Sequence, residues 1–387
     1  MNAVYYHGVE NFEVLSAAPI ADVGDHECPP VGFAGLIGES ASSFVGCEDK
    51  TERRTTRKGE FIAQFPLIPG HEIVGTISKL GKAVSGFEVG DRVVADPGIT
   101  CDECFYCRRG NSLLCLNFKS LGVTQAGGFA DYVNAASKKV YKIHNLTDEE
   151  ATLVEPAACA VHGADKLALP VGAEVLICGA GPTGLILAQL LKLNGAANLV
   201  VIAANKGVKT RLARELDAAD EYVEMERDVS AERAKEQWAA LKARYPYGFD
   251  AVVEATGSEA VANECIHYVR RGGTLMVYGV YANEARVHWP PSKIFRDEIR
   301  IIGSFAQAFC FPRAVAYLDS GKIRVKGMVT DIFPVAEYQK ALDKLESKTA
   351  VKIVNVNGNP ACNPVSVSRF RTPAEQAVAG VGGSDAR

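Results

Sequence analysis

The sequence predicts a two-lobed protein: a compact, mostly β lobe joined to an α/β lobe with a doubly wound parallel sheet. Three observations carry this. The 387-residue length, at roughly 150 residues per domain, leaves room for two or three domains. Up to about residue 150 the chain reads as short β-type runs broken by Gly, Asp and Pro. From about Ala173 the pattern changes to buried apolar runs alternating with helical spacings, the signature of βαβ units.

In the first lobe, residues 1–27 and 58–150, strands are expected at Glu72–Leu80, Arg92–Ala95 and Phe129–Val133. Asp91-Arg92 after Gly90 reads as a turn into a strand. In the second lobe, Glu174–Cys178 (EVLIC) is short and apolar, as suits a parallel strand covered on both faces. A glycine turn and a helix over Leu185–Leu193 follow. Asn198–Ala203 is the next strand, and Val208–Leu216 has helical spacing. Asp250–Glu254 and Thr274–Tyr278 are further strands, with a helix over Glu259–Tyr268 between them. The expected boundaries are 1–155 for the β-rich lobe, 156–295 for the parallel sheet and 296–356 for a return to the first lobe. Residues 357–387, rich in Pro, Ser, Gly and Ala without periodicity, are expected to be disordered.

Composition removes several classes of function. Hydrophobic residues at 48% and charged residues at 23% exclude a disordered or fibrous chain. Lys+Arg 42 against Asp+Glu 46 gives a net charge of −4, so no basic field points to nucleic acid. No apolar run approaches the ~18 residues of a membrane span, and the first residues, MNAVYYHGVENFEV, do not read as a signal peptide. Eleven cysteines, four of them close together, suggest a metal cluster plus free thiols in a reducing, cytoplasmic setting.

Cys101, Cys104, Cys107 and Cys115 are spaced C-x2-C-x2-C-x7-C. Four thiolates can close a tetrahedral zinc shell with no open position, so this zinc is expected to be structural. Gly179, Gly181 and Gly184, in GAGPTG, lie between a strand and a helix. This is the dinucleotide fingerprint: one glycine for the turn, one for approach of the pyrophosphate and one for helix–strand packing, with Pro182 and Thr183 inside the loop. About 20 residues on, an acid usually binds the ribose hydroxyls. Here the strand ends Ala204-Asn205-Lys206, and Lys209 and Arg211 follow, which favours the 2′-phosphate of NADP over NAD. His71-Glu72 and Glu155-Pro156 offer zinc-type donors in apolar settings.

Taken in order, PGHEIVG at 69–75, GDRV at 90–93, the cysteine loop, LVEPAACAVHG at 153–163, GAGPTG at 179–184, VVEATG at 252–257 and RRGGTLMVYG at 270–279 resemble the zinc-dependent medium-chain dehydrogenase/reductases. The resemblance covers 1–27 and 58–356 and is to the polyol (sorbitol, xylitol, arabinitol) dehydrogenase branch. It implies a GroES-like catalytic domain, a Rossmann domain and a second, catalytic zinc in the cleft between them. By motif position His71 is a ligand of that zinc, Glu72 and Glu155 are ligand or near-ligand carboxylates, and His162 lines the cleft. It further implies a polyol substrate, a nicotinamide cofactor (NADP or NAD) and a homodimer or homotetramer.

One departure stands out. The family's VLVKV-type strand and its GxCGTDxH motif, source of a cysteine ligand and of the proton relay, are not found in residues 28–57. Cys47 is the nearest substitute by position. The loss predicts impaired catalysis, and the alternative reading is an inactive NADP-binding homologue that keeps only the structural zinc.

Overall fold

A computed structural model describes residues 3–8, 11–15, 27–28, 30–37, 65–194, 197–226, 229–347 and 349–356, the 27–37 stretch by its main chain alone. Cys47, most of the atypical 28–57 segment and the 357–387 tail lie outside these residues. In chain order the first ten strands are β1 (Ala3–Gly8), β2 (Asn11–Leu15), β3 (Glu27–Cys28), β4 (Pro30–Ile37), β5 (Glu72–Ile77), β6 (Arg92–Ala95), β7 (Gly98–Ile99), β8 (Lys119–Ser120), β9 (Ala135–Ala136) and β10 (Val140–Lys142). Six more, β11 (Ala173–Cys178), β12 (Ala197–Asn205), β13 (Glu221–Met225), β14 (Phe249–Glu254), β15 (Val269–Val277) and β16 (Arg300–Gly303), belong to the second lobe. The last two, β17 (Val329–Pro334) and β18 (Lys352–Val356), return to the first.

The first lobe is built on a sheet of order β10-β6-β5-β4-β18-β17. Its β5, EIVGTI, is buried at every position but one, so it reads as an apolar run rather than an alternation. Two expectations are corrected here. Phe129–Val133 forms no extended strand; Ala130 bridges to Ala3, and Gly127 to Phe129 are bonded to the Ile68–Gly70 main chain instead. A strand does occupy the place of the missing VLVKV: β4 pairs with β5 on one side and β18 on the other. Its sequence, PVGFAGLI, carries a proline and two glycines, which hid it from a propensity reading.

The second lobe is a parallel sheet of order β13-β12-β11-β14-β15-β16. The strand order reverses beside β11, so the crevice for a ligand opens at the carboxyl ends of β11 and β14. The expected end of this lobe at 295 falls too early: β16 carries the sheet on to Gly303. Three of its four residues are exposed, so the sequence shows no buried run there.

One helix, Val154–Leu167, ties the lobes together. It packs on the helix Pro182–Leu193 behind the glycine loop, on Phe311–Asp319 and on β5. Its buried face is small, with Ala157, Ala158, Ala160 and Gly163, which lets the neighbours approach closely. Its first turn carries Glu155 and its second Cys159.

Candidate metal and dinucleotide sites

The four sulfurs of Cys101, Cys104, Cys107 and Cys115 lie within 4.8 Å of one another. Short 3-10 turns at Cys107–Arg109 and Ser112–Leu114 fold the loop back on itself. The Cys101 and Asn117 amides donate to Cys115 Sγ at 3.4 and 3.3 Å, and Cys115 Sγ lies 3.4 Å from Cys101 Sγ. Amides of Cys107 and Leu116 aimed at Cys104 bring its thiol down to about 6, favouring the thiolate. Burial and the neighbouring thiols push Cys107 up to about 12. Crowded sulfurs that compete for protons, ringed by N–H donors, fit a dication that would take all four as thiolates.

A second set of donors converges at the start of β5. Ligand atoms of His71, Glu72 and Glu155 also fall within 4.8 Å of one another. Gly70, at φ +98°, turns the chain into β5 so that this pair begins the strand. Burial pushes the Glu155 carboxyl up to about 8, with the Glu72 charge adding to the rise. Burial likewise raises Glu72 to about 7, against the pull of Lys352, and lowers His71 to about 4. Lys352 is buried, at 2% exposure, and its Nζ donates to Glu72 Oε2. Cys159 Sγ donates to Glu155 Oε1 at 3.3 Å, one helical turn along. Two carboxyls therefore face one ammonium beside an imidazole that burial keeps neutral, and imidazole and carboxylate are donors of the type a zinc ion takes.

The glycine loop is shaped for a dinucleotide. A Cβ on Gly184 would sit 2.9 Å from Gly179 O, and one on Gly179, at φ +122°, would sit 3.0 Å from Ala255 O. One on Gly181 would meet nothing within 4 Å. The first and third glycines are thus fixed by packing, while the second faces open space. The helix begins at Pro182, with Thr183 in its first turn. Beyond β12, register places Glu224 beside Ala204 and Met225 beside Asn205. Glu224 is already engaged by Thr210 Oγ1 at 2.9 Å, and Glu226 by Arg233. Lys206 is exposed and Lys209 half-buried.

Sequence reasoning missed three contributors. Lys352 sits in an apolar strand, KIVNV, where its only signal is a lysine amid buried positions. Cys159 was inside a quoted motif but was given no role. Glu254, in VVEATG, accepts from the Thr256 and Gly257 amides at 2.8 and 3.1 Å and from the Tyr281 hydroxyl, so it fixes the turn at the end of β14. His162 does not join the donor cluster; its charged neighbours are Lys166, Asp165 and Arg313.

Comparison with known proteins agrees with this geometry. Residues 42–145 match the model of the alcohol dehydrogenase GroES-like domain, and residues 182–320 that of the zinc-binding dehydrogenases. The chain is 54% identical to D-arabinitol dehydrogenase 1 of Uromyces fabae, over 91% of this chain and 96% of that one. It is 33% identical to D-altritol 5-dehydrogenase of Agrobacterium fabrum, over 87% and 94%. Among solved structures it resembles a protein of Sinorhizobium meliloti 1021, described as a zinc-binding dehydrogenase and bound to NADP. The two superpose with a TM-score of 0.80 at 27% identity, over 92% of this chain and 98% of that one. With a GroES-like lobe, a parallel dinucleotide-type sheet and relatives this close over nearly the whole length, the chain belongs to the zinc-dependent medium-chain dehydrogenase/reductases.

Proposed function

We propose that the chain is a zinc-dependent dehydrogenase of polyols, D-arabinitol and its relatives being the substrate class, with a nicotinamide dinucleotide as hydride partner. The observation that carries this is the convergence of His71, Glu72 and Glu155, the last on a helix that packs against the one behind the glycine loop, in a chain 54% identical to a D-arabinitol dehydrogenase. We take His71 and Glu155 to hold the catalytic metal, Glu72 to lie against it, and Cys101, Cys104, Cys107 and Cys115 to hold the structural one. Zinc at the first site would polarise the substrate hydroxyl, and the dinucleotide would accept the hydride.

The protein's own residues prepare for this. Lys352 keeps Glu72 in place as a carboxylate without letting it swing. Cys159 fixes the rotamer of Glu155. Glu254 holds the turn past which the dinucleotide must lie, and Gly181 leaves room for its pyrophosphate. NADP is favoured over NAD: among the described residues the carboxylates at the end of β13, Glu224 and Glu226, are engaged by Thr210 and Arg233, while Lys206 and Lys209 stand beyond Asn205. The lobe boundaries are taken as about 155 and, after β16, about 303.

The exposed edge strand β16, with Ile301 uncovered, offers unpaired main chain to a second copy, which supports a homodimer or a tetramer built from it. No helix among the described residues is long and apolar enough to cross a membrane, and a four-thiol cluster suits the reducing cytoplasm. The inactive alternative draws no support from the two relatives described above, both named as dehydrogenases. The test is steady-state reduction of NADP and NAD with D-arabinitol, xylitol and sorbitol, together with zinc analysis. Turnover at ~1–1000 per second and about two zincs per chain are expected. No turnover with any of them and about one zinc would leave only the inactive reading.

A further inference from the structure

Residues 304–310, SFAQAFC, run from the end of β16 to the helix Phe311–Asp319. They leave the parallel sheet at its carboxyl edge, where the Ser304 amide donates to the Val277 carbonyl at 3.1 Å. From there they cross to the first lobe. Gln307 Nε2 donates to Asp96 Oδ1 at 2.9 Å, a contact between groups 211 residues apart. Asp96 follows β6, and the pairing of Ala95 with Ile73 brings it, one rung further, level with Glu72. Resting on the function proposed above, we propose that Gln307 is a positioning residue for hydride transfer. Its amide clasps this loop to the first lobe at the level of the His71 cluster, and so fixes the gap between the sheet that takes the dinucleotide and the donors that take the metal.

Both partners of the clasp are buried, Gln307 at 6% and Asp96 at 3% exposure, so an amide lost there leaves an unpaired buried acceptor. Both ends of the amide are used. Gln307 Oε1 accepts from the Cys310 main-chain N–H at 3.2 Å, which closes the loop on itself. Asp96 is anchored from its own lobe, by the Gly98 amide at 2.9 Å and by Lys139 Nζ at 2.7 Å. The loop is also strained. Ala306, at φ +42°, and Phe309, at φ +59°, are non-glycine residues in the left-handed region, a conformation that persists only where the surroundings impose it. Two links to the first lobe impose it: the Gln307 amide, and the Phe305 ring, whose centroid lies 6.2 Å from that of Phe118. The strain is spent where distance matters most, because a displacement of about 1 Å between reacting groups can cost on the order of 100-fold in rate.

The test compares the full wild-type chain with Gln307→Leu, Asp96→Asn and Asp96→Ala. Two quantities are measured: steady-state oxidation by NADP of D-arabinitol and of its carbon-deuterated form, and amide hydrogen exchange over residues 304–310. Gln307→Leu should lower kcat roughly 10- to 100-fold and raise the deuterium isotope effect on it, with KM for NADP and zinc content within about twofold of wild type. Exchange over 304–310 should quicken by about tenfold. Asp96→Asn still accepts from Gln307 and should keep most of the rate that Asp96→Ala loses, a rescue that a merely structural role does not give. Unchanged kcat and isotope effect in Gln307→Leu would overturn the assignment, as would a change confined to KM for NADP or to zinc. If Gln307→Leu fails to fold, the Asp96 pair decides, and equal rates in its two variants would overturn the clasp. A wild type that turns over no polyol would sink the proposed function and this inference with it, whereas ordinary turnover indifferent to Gln307 would sink the inference alone.

Discussion

The cysteine loop and the His71 cluster both gather metal-type donors, and they are assembled in opposite ways. The first draws all four donors from one short loop, and its own amides point at the sulfurs. The second draws on β5, the Val154–Leu167 helix and, through Lys352, the last described strand. The loop can close whatever the rest of the chain does. The cluster exists only when the lobes have met, and it then holds buried like charges that oppose folding until something neutralises them. One site is a staple and the other is a debt carried by the fold.

The sharpest way to break this comparison is to remove the counter-ion. Lys352→Met leaves Glu72 buried without its ammonium and should cost the metal-free protein about 3–5 kcal/mol in urea unfolding. Adding Glu72→Gln should recover most of it. A single variant as stable as wild type would show that Glu72 is already neutral there. No comparable penalty should follow an exchange next to the cysteine loop, such as Lys138→Met, whose partner Asp102 is mostly exposed.

The staple should fail differently. Cys104→Ser should lower zinc by about one per chain and lower the thermal midpoint, while the zinc at the second site stays bound. Loss of both zincs at once would mean that the two sites fold as one unit.

Titration sharpens the contrast further. Glu155, at about 8, and Glu72, at about 7, bind protons more tightly in the fold than in the unfolded chain. Their contribution is complete below the ordinary carboxylate range near 4.5 and is lost as pH rises through the folded values. His71, lowered from 6.5 to about 4, works the other way, and its contribution is complete above 6.5 and lost as pH falls toward 4. Between pH 6.5 and 8 only the carboxylates therefore matter, and metal-free protein should lose roughly 2 kcal/mol across that window. Denaturant melts at the two pH values, with and without zinc, check this. A zinc-loaded protein should be flatter, and Glu155→Gln should flatten the metal-free curve.

The smallest effect is expected at the end of β12. Ala204→Asp should shift kcat/KM toward NAD by about tenfold, roughly 1.4 kcal/mol. Wild type that already prefers NAD would make Lys206 and Lys209 mere surface charge.

What the sequence disclosed follows the same division. The cysteine spacing, EVLIC and GAGPTG are local signals, and each was legible in place. The edges of the parallel sheet were not: β13 has no buried residue and β16 none either, so neither shows an apolar run. The helix Ala231–Arg244 buries Leu241 alone and carries a weak periodicity. Lys352 and Cys159 were visible letters whose meaning depends on what faces them. A lysine in KIVNV says only that something must pay for its burial, and nothing nearby in sequence names Glu72.

That pairing spans 280 residues, and β18, which carries Lys352, lies inside its sheet between β4 and β17. On the ribosome, at ~5–20 residues per second, Glu72 waits on the order of 14–56 s for its partner to be made. During that interval the nascent β-rich lobe ends at β4, with its β18-pairing edge open and a carboxylate that has not yet met its ammonium. The cysteine loop is complete long before, so on the assignment proposed above a growing chain would take up its structural metal early and its catalytic one only after β18 has been threaded in. Premature stops between Cys115 and Lys352 should therefore yield fragments that keep the cysteine loop yet never acquire chemistry, a vectorial safeguard written into the order of the strands.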